Sequence, residues 1–377
     1  MDMKKIILFF CFSSLLLVLA QCKKKEKEEE PDPEVTFDKT GMLSNYGNNI
    51  IIPAYAEFKI VVDSLKLNSD AFMASPSLTT LDALQAGFFR AYAKYQWIST
   101  FEFGPGETEL IRGNLNIFPC DTTEINTKIS GGDFDFTTVA AIDAKGFPAI
   151  DFLLYGIQRD DNSTLAKFTT DAAAANRKTY LSALVNEIKT KADAVNSSWS
   201  ASGGNYISAF KNSTGNDVGS STGLLVNQLN QDLELLKNAR IGIPLGKYSL
   251  GTLFPEKTEA FYSQRSLELA AEHLKNIENV YLGRTPQNVN GPGLDDYLIH
   301  IGAQYGAGTL DDAIKNKFSL AKSKLALIPG TLSDAVVNNT AIVDAAYVQL
   351  QQLVILLKVD MTSALGVSIT YVDSDGD

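Results

Sequence analysis

The chain has 377 residues, 45% of them hydrophobic and 20% charged, a balance that suits a folded protein with a large buried core. Its 33 basic and 44 acidic side chains give a formal net charge of −11. Such a surface repels phosphate polymers, which excludes nucleic acid as an expected partner.

Residues 1–21 read as a lipoprotein signal peptide. Lys4 and Lys5 form a positive start, residues 6–20 an apolar stretch too short to span a bilayer comfortably, and Leu19-Ala20-Gln21-Cys22 has the form of a lipobox. Cleavage before Cys22 and lipid attachment to its sulfur are expected, with a plain secreted protein as the alternative. Residues 22–36 are the lipidated Cys and a charged tether. The run 23–33 has almost no apolar side chain and is expected to stay solvated. A charged segment directly after the lipidated Cys also resembles signals that carry lipoproteins to the outer face of the outer membrane, so periplasmic and surface-facing placements both stay open. Of the 3 cysteines, processing leaves Cys22 and Cys120, so no intrachain disulfide is expected. Cys120, beside Pro119, reads as inert loop packing rather than a reactive thiol.

Beyond Thr36, helical periodicity dominates. Residues 78–103 predict an amphipathic helix. The stretch 104–132 is long, poorly periodic and rich in turn residues, and is expected to be functional or wrapped over the core. Tyr180, Leu181, Leu184, Val185, Ile188, Ala192, Val195 and Trp199 place one apolar stripe along a helix. Leu225, Leu229, Leu233 and Leu236 do the same, followed by an amphipathic helix over 259–281. A last stripe runs through Ile342, Val343, Ala346, Leu350, Leu353, Val354 and Leu357. Polar, Gly-rich breaks at 203–204, 212–223 and 242–251 separate the helices. No comparable set of alternating strands occurs, so the predicted fold is all-α, with single-stripe helices packed into bundles.

The segment Gly146-Phe147-Pro148-Ala149-Ile150-Asp151-Phe152-Leu153-Leu154-Tyr155-Gly156 resembles the signature of the imelysin-like family, in which Gly-x-His-x-x-Glu opens a helix. Pro148 stands where that pattern has His, and Asp151 where it has Glu. Trp97, Phe103-Gly104-Pro105, Arg112 to Pro119, Arg240-Ile241-Gly242-Ile243-Pro244-Leu245 and the block from Glu259 to Ser266 resemble further family segments in the same order. The resemblance implies two packed helical bundles, 37–215 and 216–377, with a polar site at their junction. It also implies an envelope protein associated with iron uptake, a peptidase history, a metal (iron or another divalent ion) and outer-membrane transport proteins as partners.

In a helix, His-x-x-Glu would present two metal ligands to one point. Pro148 has no donor atom, so half of that pair is gone. Asp151 is then either a first-turn carboxylate favoured by the helix dipole or a surviving metal ligand. His273 and His300 stand in no zinc-type spacing, and His-Glu-x-x-His is absent. Glu259, Ser263 and Ser266 fall at steps of four and three and would line one helix face, either as a solvated face or as a site for a hard cation, a sugar or a polar small molecule. Asp151 and Glu259 are thus the candidate metal ligands; Arg112, Arg240 and Arg265 are candidate anion-binding partners, and Glu107 and Glu109 are loop carboxylates with weaker claims. No Gly-x-Ser-x-Gly elbow is present. The acidic end 373–377 lacks the length and the Glu of a calcium loop. The expected function is therefore binding, of a metal or another small ligand in iron or nutrient acquisition, rather than catalysis. The alternatives are a metallopeptidase using Asp151 and Glu259, and a surface scaffold without a small ligand.

Overall fold

A computed structural model describes residues 36–156 and 160–371. The signal segment, Cys22 with its tether and the acidic end 373–377 lie outside the described residues. The rest is all-α, as expected; the one sheet among the described residues is the short hairpin of Gln304–Tyr305 and Gly308–Thr309.

One group of helices is built on α1 (Ile52–Ala74), α2 (Leu78–Tyr95) and a long helix, Ala174–Trp199. Ser77 starts α2 with a reciprocal cap: its hydroxyl accepts from the Thr80 amide while the Thr80 hydroxyl accepts from the Ser77 amide. Every member of the Tyr180 to Trp199 stripe is buried, against α1 above all. The stretch 104–132 is not structureless. It folds into short helices, including α3 (Ile111–Leu115) and Thr122–Gly131, whose Ile111, Leu115, Ile125 and Ile129 are buried.

The motif segment forms α4 (Gly146–Asp151), completely buried. Phe147 stacks on Tyr92 with centroids 4.7 Å apart and also meets Phe58, Phe88 and Tyr95 edge-on or tilted. Gly146 has φ 71°, and a Cβ there would lie 2.3 Å from the Leu115 carbonyl oxygen, so any other residue would push α4 off α3. The Ala174–Trp199 helix, packed against α4, is α5.

The second group comprises α6 (Ser221–Leu235), α7 (Ser266–Tyr281), α8 (Leu310–Ala326) and α9 (Thr340–Ile355), with α8 on α9 and α7 touching both α6 and α8. The C-terminal stripe is buried except Ile342, which lies in the first turn of α9 and faces solvent. The two groups meet where the 3₁₀ turn Ser99–Phe101 packs on α6 and where α2 touches α7.

Two features depart from the periodicity. Helices α4, α6 and α9 each run on into a π turn, Phe152–Gly156, Leu236–Gly242 and Leu356–Met361. The expected helix over 259–281 begins only at Ser266. Residues 259–265 instead make tight turns with Ala260 and Gln264 in the left-handed region, at φ 49° and 62°. The amides of Tyr262 and Ser263 are drawn to the Asp151 carboxylate, which competes with helical bonding.

Candidate functional site

Arg240 lies on the π turn that extends α6. Residues eight apart in a regular α-helix are offset by about 80° around the axis. The wider π turn absorbs part of that offset, and Asp232 and Arg240 line the same cavity. Arg240 donates to both oxygens of Glu259, from Nε at 2.5 Å and from Nη2 at 3.2 Å, and Nη2 also reaches Gln96 Oε1 at 2.8 Å. Gln96 and Asn116 complete the Glu259 carboxylate at 3.1 and 2.7 Å, and Tyr92 donates to Asn116 at 2.7 Å. Burial opposes charge on Glu259, but the Arg240 guanidinium and the Asn116 donor outweigh it and hold the carboxyl below its ordinary range.

Beside this network, Asp232 Oδ2 accepts from Ser99 and Thr100 hydroxyls at 2.8 Å each and from His273 Nε2 at 2.5 Å. Burial works against its charge too; the His273 ring, Arg112 and Arg240 prevail and keep it well below the usual carboxylate range. Burial, followed by the Arg240 charge, pulls the His273 imidazole below its ordinary value despite Asp232. A neutral ring protonated on Nε2 fits this geometry, because Nδ1 has no hydrogen-bond partner and an unmatched lone pair costs less than an unmatched N–H on a cation. Ser99 and His273 both direct their protons to Asp232, with Ser99 Oγ 3.4 Å from Nε2, so the His273 ring is not placed to take the serine proton.

These groups border a cavity of about 130 Å³ lined by Tyr95, Ser99, Arg112, Asn116, Asp232 and Arg240, among others. Arg112, on α3, forms one wall and is 20% exposed. Its guanidinium is loosely held: 3.3 Å to the Ser99 carbonyl, 3.5 Å to Gln228 and Gln231, 3.6 Å to Glu102 and Asp232. Charge-assisted bonds normally close to about 2.7–2.9 Å.

Asp151 is adjacent in charge but differently engaged. It accepts from the Tyr262 and Ser263 amides at 2.9 and 3.2 Å, and burial raises its carboxyl to about 6, with the Ser263 and Tyr262 donors opposing and Glu259 adding to the rise. A resident metal does not fit these residues. Pro148 offers no ligand atom, the Asp151 oxygens face backbone N–H groups, and the Glu259 oxygens face Arg240, Gln96 and Asn116. No cluster of three or more His, Cys, Asp or Glu is arranged to hold a metal among the described residues.

The other candidates disperse. Ser266 donates to the main-chain carbonyl of Glu259, and Ser263 to that of Ala260, so the three do not form a helix face. Arg265 pairs with Glu268 and lies over the Phe89 ring, 3.2 Å from its centroid; Glu109 pairs with Lys191 at 2.9 Å. Burial pushes the Cys120 thiol up to about 12, which keeps it protonated. Arg112, Arg240 and Glu259 do come together. Asp232, Ser99, Gln96 and Asn116 went unanticipated, and His273 lies at the centre rather than aside. Asp232 sits within a Leu stripe, where a buried acid is the only signal that could have drawn attention to it.

Residues 51–358 match the family model described as Imelysin. The chain is similar to Iron-regulated protein A of Synechococcus elongatus, 20% identical over 301 residues, with 76% of this chain and 75% of that protein covered. Its fold resembles that of an iron-regulated protein A precursor from Parabacteroides distasonis, with a TM-score of 0.73 and 16% identity over 89% of this chain and 97% of that one. An imelysin-like protein from Psychrobacter arcticum gives a TM-score of 0.67 and 17% identity over 88% and 97%.

Proposed function

This chain belongs to the imelysin family, and we propose that it is an envelope protein that binds a small, anion-bearing ligand in iron or nutrient acquisition, in the cavity beside Arg112. In this reading 37–215 and 216–377 are two bundles that meet at the cavity, and lipid on Cys22 holds the protein to the outer membrane near transport proteins. The observation that carries it is the contrast between the two arginines. Arg240 is tightly held through Nε and Nη2 by Glu259 and Gln96, whereas the Arg112 guanidinium faces the cavity with no hydrogen bond or ion pair shorter than 3.3 Å. A carboxylate or similar anion would give Arg112 the short charge-assisted bond that its present partners do not, and the Ser99 and Asn116 side chains add polar partners beside it. The iron association rests on the names of the relatives and on family membership. Peptidase chemistry is disfavoured because Pro148 and the engaged oxygens of Asp151 and Glu259 leave no open ligand set.

The test is thermal melting of the purified protein, with elemental analysis, against acetate, citrate and inorganic phosphate at constant ionic strength, and against iron, zinc, calcium and haem. A ligand at one hundred times its Kd stabilises by about 2.7 kcal/mol. The expected result is stabilisation by an anion, or by iron only as an anionic complex, that Arg112→Ala removes. Stabilisation by a bare metal ion that Asp151→Ala removes would overturn it, and no shift with any of them would point to a scaffold.

A further inference from the structure

A second concave surface lies away from the Arg112 cavity, along the outer face of α7. Its other walls are the C-terminal turn of α8 and the loop carrying Arg284, and it encloses about 590 Å³, within the range of small-molecule sites. Its floor is apolar, from Leu267, Ala271, Leu274, Leu325 and Ile328. The charges around it are unevenly paired. Glu268 is held by Arg265, Glu278 by Lys322 at 2.6 Å, and Glu272 accepts from the Trp97 indole at 2.9 Å. Two cations in the wall, Lys275 and Arg284, have no carboxylate partner among the described residues; Lys275 lies 5.2 Å from the Trp97 ring centroid. Glu272, bonded only to a neutral indole, keeps its charge, so beyond the paired Glu268 and Glu278 the groove sets two cations against one carboxylate; on a chain of net charge −11, that local positive excess over an apolar floor selects for an occupant with one anionic end.

We infer that this groove is a second binding site, for a small amphipathic anion: an apolar body of up to about ten carbons with a single carboxylate or sulfonate directed at Lys275 and Arg284. The body covers Ala271, Leu274 and Ile328, and the charged end displaces water from the two cations. This reading does not depend on a ligand at Arg112.

The structure supplies its own reporter. The chain has 2 tryptophans; Trp97 contacts the groove through Glu272 and Lys275, whereas Trp199 is fully buried among the aromatics at the end of α5. The experiment titrates the whole protein with anilinonaphthalene sulfonate, reads energy transfer from tryptophan, and displaces the dye with decanoate or decanol. Saturable transfer is expected, with decanoate displacing the dye at least tenfold better than decanol. Lys275→Glu with Arg284→Glu should weaken dye binding at least tenfold. Ala271→Trp, at an exposed position, should block the groove, and Trp97→Phe should remove most of the transfer while direct dye emission still saturates. Equal displacement by decanoate and decanol, or unchanged binding in both the charge-reversed and the Ala271→Trp proteins, would overturn the assignment.

Discussion

Asp151 and Asp232 are the same residue type, each 1% exposed, and they hold their protons in opposite ways. Asp151 receives only neutral donors, from Ser263 and Tyr262, and is raised to about 6, with burial as the leading cause. Asp232 receives two hydroxyls and an imidazole, faces two arginines, and is held low. Burial alone therefore does not set the charge of this site. The cations do, and they stand on the side of Arg112 and Arg240, away from the motif helix that first draws the eye.

The strongest way to break the contrast is to remove a cation. Arg240→Met leaves Glu259 buried with Gln96 and Asn116 alone, and should cost about 3–5 kcal/mol in urea unfolding. Combining it with Glu259→Leu should recover much of that loss, because a buried pair can often be replaced by apolar groups of similar volume. If the single change costs under about 1 kcal/mol, the carboxylate is not dependent on Arg240.

Next in size is a pH effect. Asp151 has a folded-state pKa above its unfolded value of 3.8, so between 3.8 and about 6 the native protein binds more protons than the unfolded chain. Stability contributed by the protonated form is full below that window and is lost as pH rises through about 6, a loss of about 3 kcal/mol. Asp232 and Glu259, held low, act with the opposite sign: their contribution is present above their unfolded values and fades as pH falls through the folded ones. Asp151→Asn should flatten the fall between about pH 4 and 6 and leave the acid limb in place, as read by urea unfolding at stepped pH. An unchanged slope would place the raised group elsewhere.

The legible parts of this molecule are those written in local periodicity. The Tyr180 to Trp199 stripe, the Leu225 to Leu236 stripe and most of the C-terminal stripe became buried helix faces, because a single apolar face needs only spacing to declare itself. Of the site's charged members only Arg112, Arg240 and Glu259 were legible. Asp232 and His273 are 41 residues apart and meet only when α6 packs on α7, a tertiary event with no sequence spacing of its own. The π turn that brings Arg240 round to Asp232 has no sequence signature comparable to a cap. Residues 259–265 depart from the expected helix for a related reason: their spacing is helical, but a carboxylate 111 residues away from Tyr262 takes the amides.

The smallest expected effect tests that last point. Ser266 opens α7 and donates to the Glu259 main-chain carbonyl, not to the carboxylate that Arg240 holds. Ser266→Ala should therefore cost the ordinary value of a buried neutral hydrogen bond, about 1 kcal/mol, and should do so equally at every pH. Were Ser266 a donor to the charged oxygens, its loss would raise the Glu259 pKa and the cost would shrink as the pH fell into the acid limb. Urea unfolding of the variant near neutral pH and in the acid limb separates the two: a pH-independent penalty assigns Ser266 to fixing the turn that seats Glu259, and a pH-dependent one would move it into the charge network itself.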